Sequence, residues 1–230
     1  MVITPGRFLP EEVEIRRKYL QTKALPGTKI NVVPLKRGPV TIRNEADFAL
    51  LVPGVLERAE EAEKDGFDAI MVHGFCDFGV YPARCIVKIP VVGPAEATYH
   101  VACMLADKFG VITVSDETIP YFWRLAKFGG FAERITSMYP INIPISELIE
   151  RRNELIKTFI NLAKKSIKDG AQLIIPGCLA YLPVMGPGSV EMLEKEIGVQ
   201  VLDPQAISLR IAEMLANLKL THSKKAFPGS

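Results

Sequence analysis

Apolar residues fall along this chain in short blocks separated by longer amphipathic stretches. The blocks Val2–Thr4, Ile30–Val33, Phe67–Val72, Ile89–Val92, Val111–Val114, Leu173–Ile175 and Val199–Leu202 read as buried strands, with Arg134–Met138 a weaker candidate. Helical patterns run at Pro10–Leu20, Leu56–Lys64, Ala95–Lys108, Ile145–Lys168 and Pro204–Leu218. Near-continuous apolar strands alternating with helices predict an α/β chain with parallel sheets covered on both faces. Two helix starts are marked by Gly93-Pro94 and Asp203-Pro204. Proline at the first helical position costs no hydrogen bond, and aspartate is a good N-cap.

The pattern also repeats. Val2-Ile3-Thr4 returns as Val111-Ile112-Thr113, and Lys64-Asp65-Gly66 returns as Lys168-Asp169-Gly170. Val91-Val92-Gly93-Pro94 returns as Val201-Leu202-Asp203-Pro204. Any two strand–helix units share such features, but here three pairs keep the same order at nearly the same spacing. A duplicated half-domain is expected. In each half the segment after Lys-Asp-Gly reads as an apolar strand, a glycine and then a thiol, ending in Cys76 and Cys178. Open α/β sheets bind ligands beyond the carboxyl ends of their strands. The thiols are therefore expected to face each other across a cleft between the halves.

Composition narrows the classes. The chain has 230 residues, 48% hydrophobic and 23% charged, with a net charge of +2. That length supports a sizeable core. The charge shows no basic stripe of the kind nucleic acid requires. No apolar run approaches the ~18–20 residues of a membrane span, and the first residues lack the pattern of a secretory signal. The 4 cysteines are then expected to be reduced thiols of a cytoplasmic protein. The end of the chain, with Lys224-Lys225, reads as a frayed tail.

Two opposed thiols suit proton transfer at carbon. A racemase removes a proton from one face and returns one to the other, which without a cofactor needs a base and an acid. A free cysteine titrates near ~8.5, so modest tuning holds it as thiol or thiolate at neutral pH. Backbone amides beyond the strands would stabilise an enolate-like intermediate. Cys103, within a helix pattern, and Cys85 read as structural.

The chain resembles the Asp/Glu/hydantoin racemase superfamily, most closely its hydantoin racemase branch. The likeness rests on Ile3-Thr4-Pro5, Arg37-Gly38-Pro39-Val40-Thr41-Ile42, Asp65-Gly66-Phe67-Asp68-Ala69, Gly79-Val80-Tyr81-Pro82-Ala83-Arg84, Pro90-Val91-Val92-Gly93-Pro94-Ala95-Glu96-Ala97, Val111-Ile112-Thr113 and Gly177-Cys178. The resemblance implies two pseudo-symmetric lobes, residues 1–95 plus 206–230 and residues 96–205, with the active site between them. It further implies Cys76 and Cys178 as the catalytic pair, no metal and no cofactor, a small-molecule substrate and a homo-oligomer.

Substrate-binding positions are expected at Thr4 in the opening loop, at Asp77, Phe78 and Gly79 after the first thiol, and at Gly177 and Leu179 around the second. Glu96 is a further candidate, as are Thr113 and Ser115, whose hydroxyls either meet a ligand or cap the helix beginning near Glu117. His73 precedes the first thiol and either tunes it or fills a strand end. The opening loop Thr4-Pro5-Gly6-Arg7 departs from the family's Asn-Pro-Asn-Thr, and Asp77 and Leu179 stand where amino-acid racemases carry small hydroxyl or amide residues. A neutral ring such as a hydantoin or an allantoin-like ureide fits these changes better than an acidic amino acid. A lyase or cis-trans isomerase on the same scaffold, of arylmalonate decarboxylase or maleate isomerase type, is the alternative, as is a non-catalytic binding protein. A thiol redox protein predicts adjacent or C-x-x-C cysteines, which are absent.

Overall fold

Two parallel four-stranded sheets form from the apolar blocks in the computed structural model of the protein, which describes residues 1–6, 10–39, 42 and 44–229. Arg7 of the opening loop and Val40 and Thr41 of the family-like 37–42 segment lie outside the described residues. The chain divides into two units, Met1–Ala97 with Gln205–Ser230, and Thr98–Pro204.

In the first unit β1 (Val2–Thr4) lies between β2 (Val32–Pro34) and β3 (Ile70–Val72), and β3 pairs with β4 (Val91–Val92). The order is β2-β1-β3-β4. Helices α1 (Pro10–Lys23), α2 (Glu45–Lys64) and α3 (Val80–Ile86) belong to this unit, with the start of α4 (Pro94–Leu105). Helix α9 (Pro204–Asn217) closes it, and Ala212 packs with Val92 and Ala97 in one apolar cluster.

The second unit repeats the plan. Strand β5 (Phe109–Thr113) lies between β6 (Ile135–Pro140) and β7 (Leu173–Pro176), and β7 pairs with β8 (Gln200–Val201). The order is β6-β5-β7-β8, all parallel. Helices α5 (Ile119–Phe128), α6 (Arg152–Lys168), α7 (Tyr181–Met185) and α8 (Ser189–Ile197) accompany it. The weakest strand candidate of the sequence, at 134–138, is here a six-residue strand, because its partner β5 starts two residues before the expected Val111.

Several helix limits differ from those expected. Helix α2 starts at Glu45, not Leu56, and continues through Pro53. Asn44 makes a capping box with Asp47, accepting from the amides of Ala46 and Asp47. Burial of Phe48, Leu51 and Val55 then outweighs the single ladder bond that Pro53 removes. Helix α6 begins at Arg152 instead of Ile145, because Ile145–Glu147 is an isolated 3-10 turn and Ile145 and Ile149 stay exposed. Its buried stripe is Leu155, Phe159, Ala163 and Ser166.

That stripe leaves no room opposite Gly110 on β5. A Cβ there would come within 1.8 Å of the Ser166 Oγ, which is itself bonded to Ser137 Oγ at 2.6 Å. Gly110→Ala is therefore expected to destabilise the protein by about 1–3 kcal/mol. Urea unfolding measures this, and an unchanged midpoint would contradict the packing.

Candidate active site

In each sheet the chain leaves the first strand toward one side and returns to the other. The crevice between the carboxyl ends of β1 and β3, or of β5 and β7, is thus a topological switch point, where such sheets bind ligands. Cys76 lies in the loop after β3, and Cys178 lies two residues beyond the end of β7. Both are buried, at 7% and 8% exposure, and free of disulfides.

The ladder bonds fix which residues of the two units correspond. The amide of His73 donates to the Ile3 carbonyl at 2.7 Å, and the amide of Gly177 donates to the Ile112 carbonyl at 2.7 Å. The loop then opens with a turn in each unit. The Asp77 amide donates to the Gly74 carbonyl, and the Tyr181 amide to the Cys178 carbonyl. Strand β3 and the loop after it thus map onto β7 and its loop at one constant offset of 104 residues. At that offset the partner of Cys178 is Gly74, and the partner of Cys76 is Ala180. The thiols themselves are 102 residues apart, so matching them to each other would need a two-residue slip after the strand. The hydrogen bonds show no slip.

Gly74 is also crowded. A Cβ there would meet the Phe78 ring at 2.6 Å and Pro5 at 3.1 Å. The Phe78 ring is buried, with its centroid 4.9 Å from that of Phe48. In the first unit, an aromatic ring thus covers the position where the second unit carries its thiol. Gly79 takes φ 67° to start α3 and would press a Cβ against Val55.

Asp77 is a helix cap. Its Oδ1 accepts from the Ala95 amide and its Oδ2 from the Glu96 amide, each at 2.9 Å, at the start of α4. It adopts φ 51°, and any Cβ at Gly93 would meet its carboxyl group at 2.5 Å. Burial pushes the Asp77 carboxyl up to about 7, against the pull of the Glu96 and Ala95 amides. Both carboxylate oxygens of Asp77, an expected substrate-binding residue, are thus engaged by backbone amides. Glu96, on the same turn, pairs with the buried Arg84 at 2.5 Å.

The hydroxyls are likewise engaged. Thr4 is fully buried and donates to the Val33 carbonyl at 3.3 Å. Thr113, its repeat partner, is fully buried 3.3 Å from the Thr118 hydroxyl. Ser115 caps the 3-10 turn Asp116–Thr118 that leads into α5. Gly177 passes so close to β5 that a Cβ would lie 3.1 Å from the Ile112 carbonyl. Leu179 is buried beside Cys178. Tyr181 donates its hydroxyl to the Thr113 carbonyl at 2.8 Å, joining this loop to the end of β5. Burial, and after it the nearby Cys178, push the Tyr181 phenol well up. Sequence reasoning gave no role to Arg84, Tyr181 and Gln205; the partners of Tyr181 and Gln205 lie 68 and 132 residues away in the chain. Among the described residues no cluster of three His, Cys, Asp or Glu side chains is placed to hold a metal ion, and no helix is long and apolar enough to cross a membrane.

His73 does not supply a cation beside a thiol. It is buried, 2.6 Å from Gln205 Oε1, and burial pulls its pKa down to about 4. Unfolded, it titrates near ~6.5. A folded pKa below the unfolded one means stability present above ~6.5 and lost as pH falls toward 4. Asp77 titrates with the opposite sign, so comparison with a variant isolates the histidine. The stability advantage of the native chain over His73→Gln is expected to shrink between pH 6.5 and 4. A constant difference across that range, by urea unfolding, would contradict the assignment.

Known proteins share this fold. The sequence model of a family described as Asp/Glu/Hydantoin racemase matches residues 14–212. A hydantoin racemase of Paenarthrobacter aurescens is 30% identical over 200 residues, covering 86% of this chain and 83% of that protein. The allantoin racemase from Klebsiella pneumoniae superposes with a TM-score of 0.87 at 28% identity, covering 99% of this chain and 92% of its own. The allantoin racemase of Pseudomonas fluorescens gives a TM-score of 0.90 at 25% identity, covering 100% and 95%.

Proposed function

We propose, from the fact that this chain belongs to the Asp/Glu/hydantoin racemase family, that it is an isomerase moving protons at a carbon beside a carbonyl. The substrate class is a small chiral ring or ureide of the hydantoin or allantoin kind, the compounds after which its relatives are named. The observation that carries this reading is Cys178, a buried thiol at the switch point of the second unit, two residues past β7 and beside the loop tied to β5 by Tyr181. The thiolate would take the proton from the carbon. The electron pair would move onto the carbonyl oxygen, where backbone amides of the strand-end loops can hold it. Racemisation then needs an acid on the opposite face. In this reading that acid is the thiol of Cys76, and the exchange of roles between the two sulfurs requires no metal or organic cofactor.

The test is proton NMR in deuterium oxide with a panel of enantiopure 5-substituted hydantoins, allantoin and amino acids. Loss of the α-proton signal together with loss of optical rotation is expected for the ring substrates. If every compound keeps both signals, the reading fails. We also propose that the chain self-associates, with the exposed Met104, Phe128 and Leu218, at 83%, 72% and 62%, as candidate contact residues. A monomer by light scattering at micromolar concentration would count against it.

One observation favours a second reading. Because Gly74, not Cys76, is the register partner of Cys178, the first unit lacks a thiol at the equivalent place. A single thiol protonates one face only, which suits a lyase that first breaks a bond other than C–H. The same panel, extended to prochiral disubstituted malonates, distinguishes the two. Release of carbon dioxide with formation of one enantiomer supports the lyase.

A further inference from the structure

The last eight described residues are not the frayed tail expected from the sequence. His222 Nε2 accepts the Val91 amide at 2.9 Å, covering an open edge of β4. Burial pulls His222 down to about 4, so at neutral pH the imidazole is uncharged and free to accept. Lys224 Nζ donates to three carbonyls at the end of α3, those of Arg84 at 2.9 Å, Cys85 at 3.3 Å and Val87 at 2.7 Å. A cation there meets the negative end of the helix. The Phe227 ring lies 5.5 Å from the Arg84 guanidinium, and Tyr81 lies 5.1 Å from it. Gly229 lies so close to the Cys85 carbonyl that a Cβ would sit 3.1 Å away.

Two of these contacts meet Arg84 itself, Lys224 at its carbonyl and Phe227 at its guanidinium. Its Nε donates to the Val91 carbonyl at 3.1 Å, and its other two nitrogens hold the Glu96 carboxylate. Glu96 belongs to the turn whose amides hold Asp77, and Asp77 is the immediate neighbour of Cys76. The path from the tail to the loop therefore runs through directly bonded groups within one unit.

We propose that residues 222–229 are a positioning strap: Lys224 and Phe227 fix Arg84, and through Glu96 and the first turn of α4 they hold the loop that carries Cys76. The proposal rests on the reading above only in treating that loop as part of the active site. Its test does not depend on turnover. Lys224→Met, Phe227→Leu and a chain ending at Leu220 are compared with the native protein by amide hydrogen exchange and by peptide-resolved alkylation with iodoacetamide. Exchange at the Ala95 and Glu96 amides and alkylation of Cys76 are expected to rise about tenfold, within the usual range of coupling between sites. Alkylation of Cys178 should stay unchanged, and Lys224→Arg should behave as the native chain. If the shortened chain fails to fold, the two point variants decide. Unchanged exchange at Ala95 and Glu96, or an equal rise at Cys178, overturns the strap. A protein without racemase activity that shows the expected exchange pattern would remove the proposed function and leave the strap standing.

Discussion

Cys178→Ser is expected to abolish turnover, lowering kcat by at least ~10²–10⁴-fold, the usual contribution of a positioned acid–base group. A serine hydroxyl has nearly the same shape but holds its proton far too tightly to act as a base near neutral pH. The position tolerates the change structurally, because serine replaces the sulfur in a loop whose backbone is fixed by the Gly177 and Tyr181 amides and by the Tyr181 hydroxyl. Both readings of the function require this thiol, since it alone follows a switch-point strand directly. The variant should melt within a few degrees of the native protein while losing activity. Retention of more than about a tenth of the native kcat, with an active native control, would remove Cys178 from the chemistry.

Cys76→Ser separates the two readings. If the sulfurs serve opposite faces, each direction of racemisation uses both, so this variant should lose racemisation as completely as Cys178→Ser. Exchange of the α-proton with solvent deuterium can proceed on one face, however. Each single variant should then retain slow exchange with one enantiomer only, and the two should choose opposite enantiomers. If the reaction uses one thiol, Cys76→Ser should stay within about twofold of native, because serine replaces a buried small residue in a loop held by its neighbours. The register places Gly74 under the Phe78 ring at the site equivalent to Cys178, so Cys76 must reach the substrate from two residues further along. Opposite-enantiomer exchange shows that it does. A near-native Cys76→Ser beside an inert Cys178→Ser shows that it does not, and moves the protein to the one-thiol reaction.

The amino-acid pattern by itself determined the strands and their alternation with helices. Val2–Thr4 was bounded as found, and the others lay within a few residues. Short near-continuous apolar runs alternating with amphipathic helices suit parallel strands covered on both faces, so the parallel α/β class followed. The repeat was legible for the same reason: two sheets of one plan need the same spacing of strands. Family membership was legible from the ordered segments around the two thiols and the Gly93-Pro94 start of α4. Short helices were not. Helices α3 and α7, of 7 and 5 residues, span too few turns to show a period, and the first half of α2 was not read as helix, its Asn44 cap and buried face being settled only by the fold.

Tertiary structure decided the rest, because hydrogen-bond register and charge pairing join residues far apart in the chain. The correspondence of Cys178 with Gly74 follows from which amide reaches the Ile3 and Ile112 carbonyls. Residue spacing allowed either a constant offset or a two-residue slip, and only the ladder distinguishes them. Asp77 became a cap because α4 begins within reach of its carboxylate, 18 residues on. The tail became ordered because β4 leaves an amide, and α3 leaves carbonyls, that His222 and Lys224 can satisfy. None of those partners is visible from the local pattern, since each is set by where the backbone ends its own hydrogen bonding.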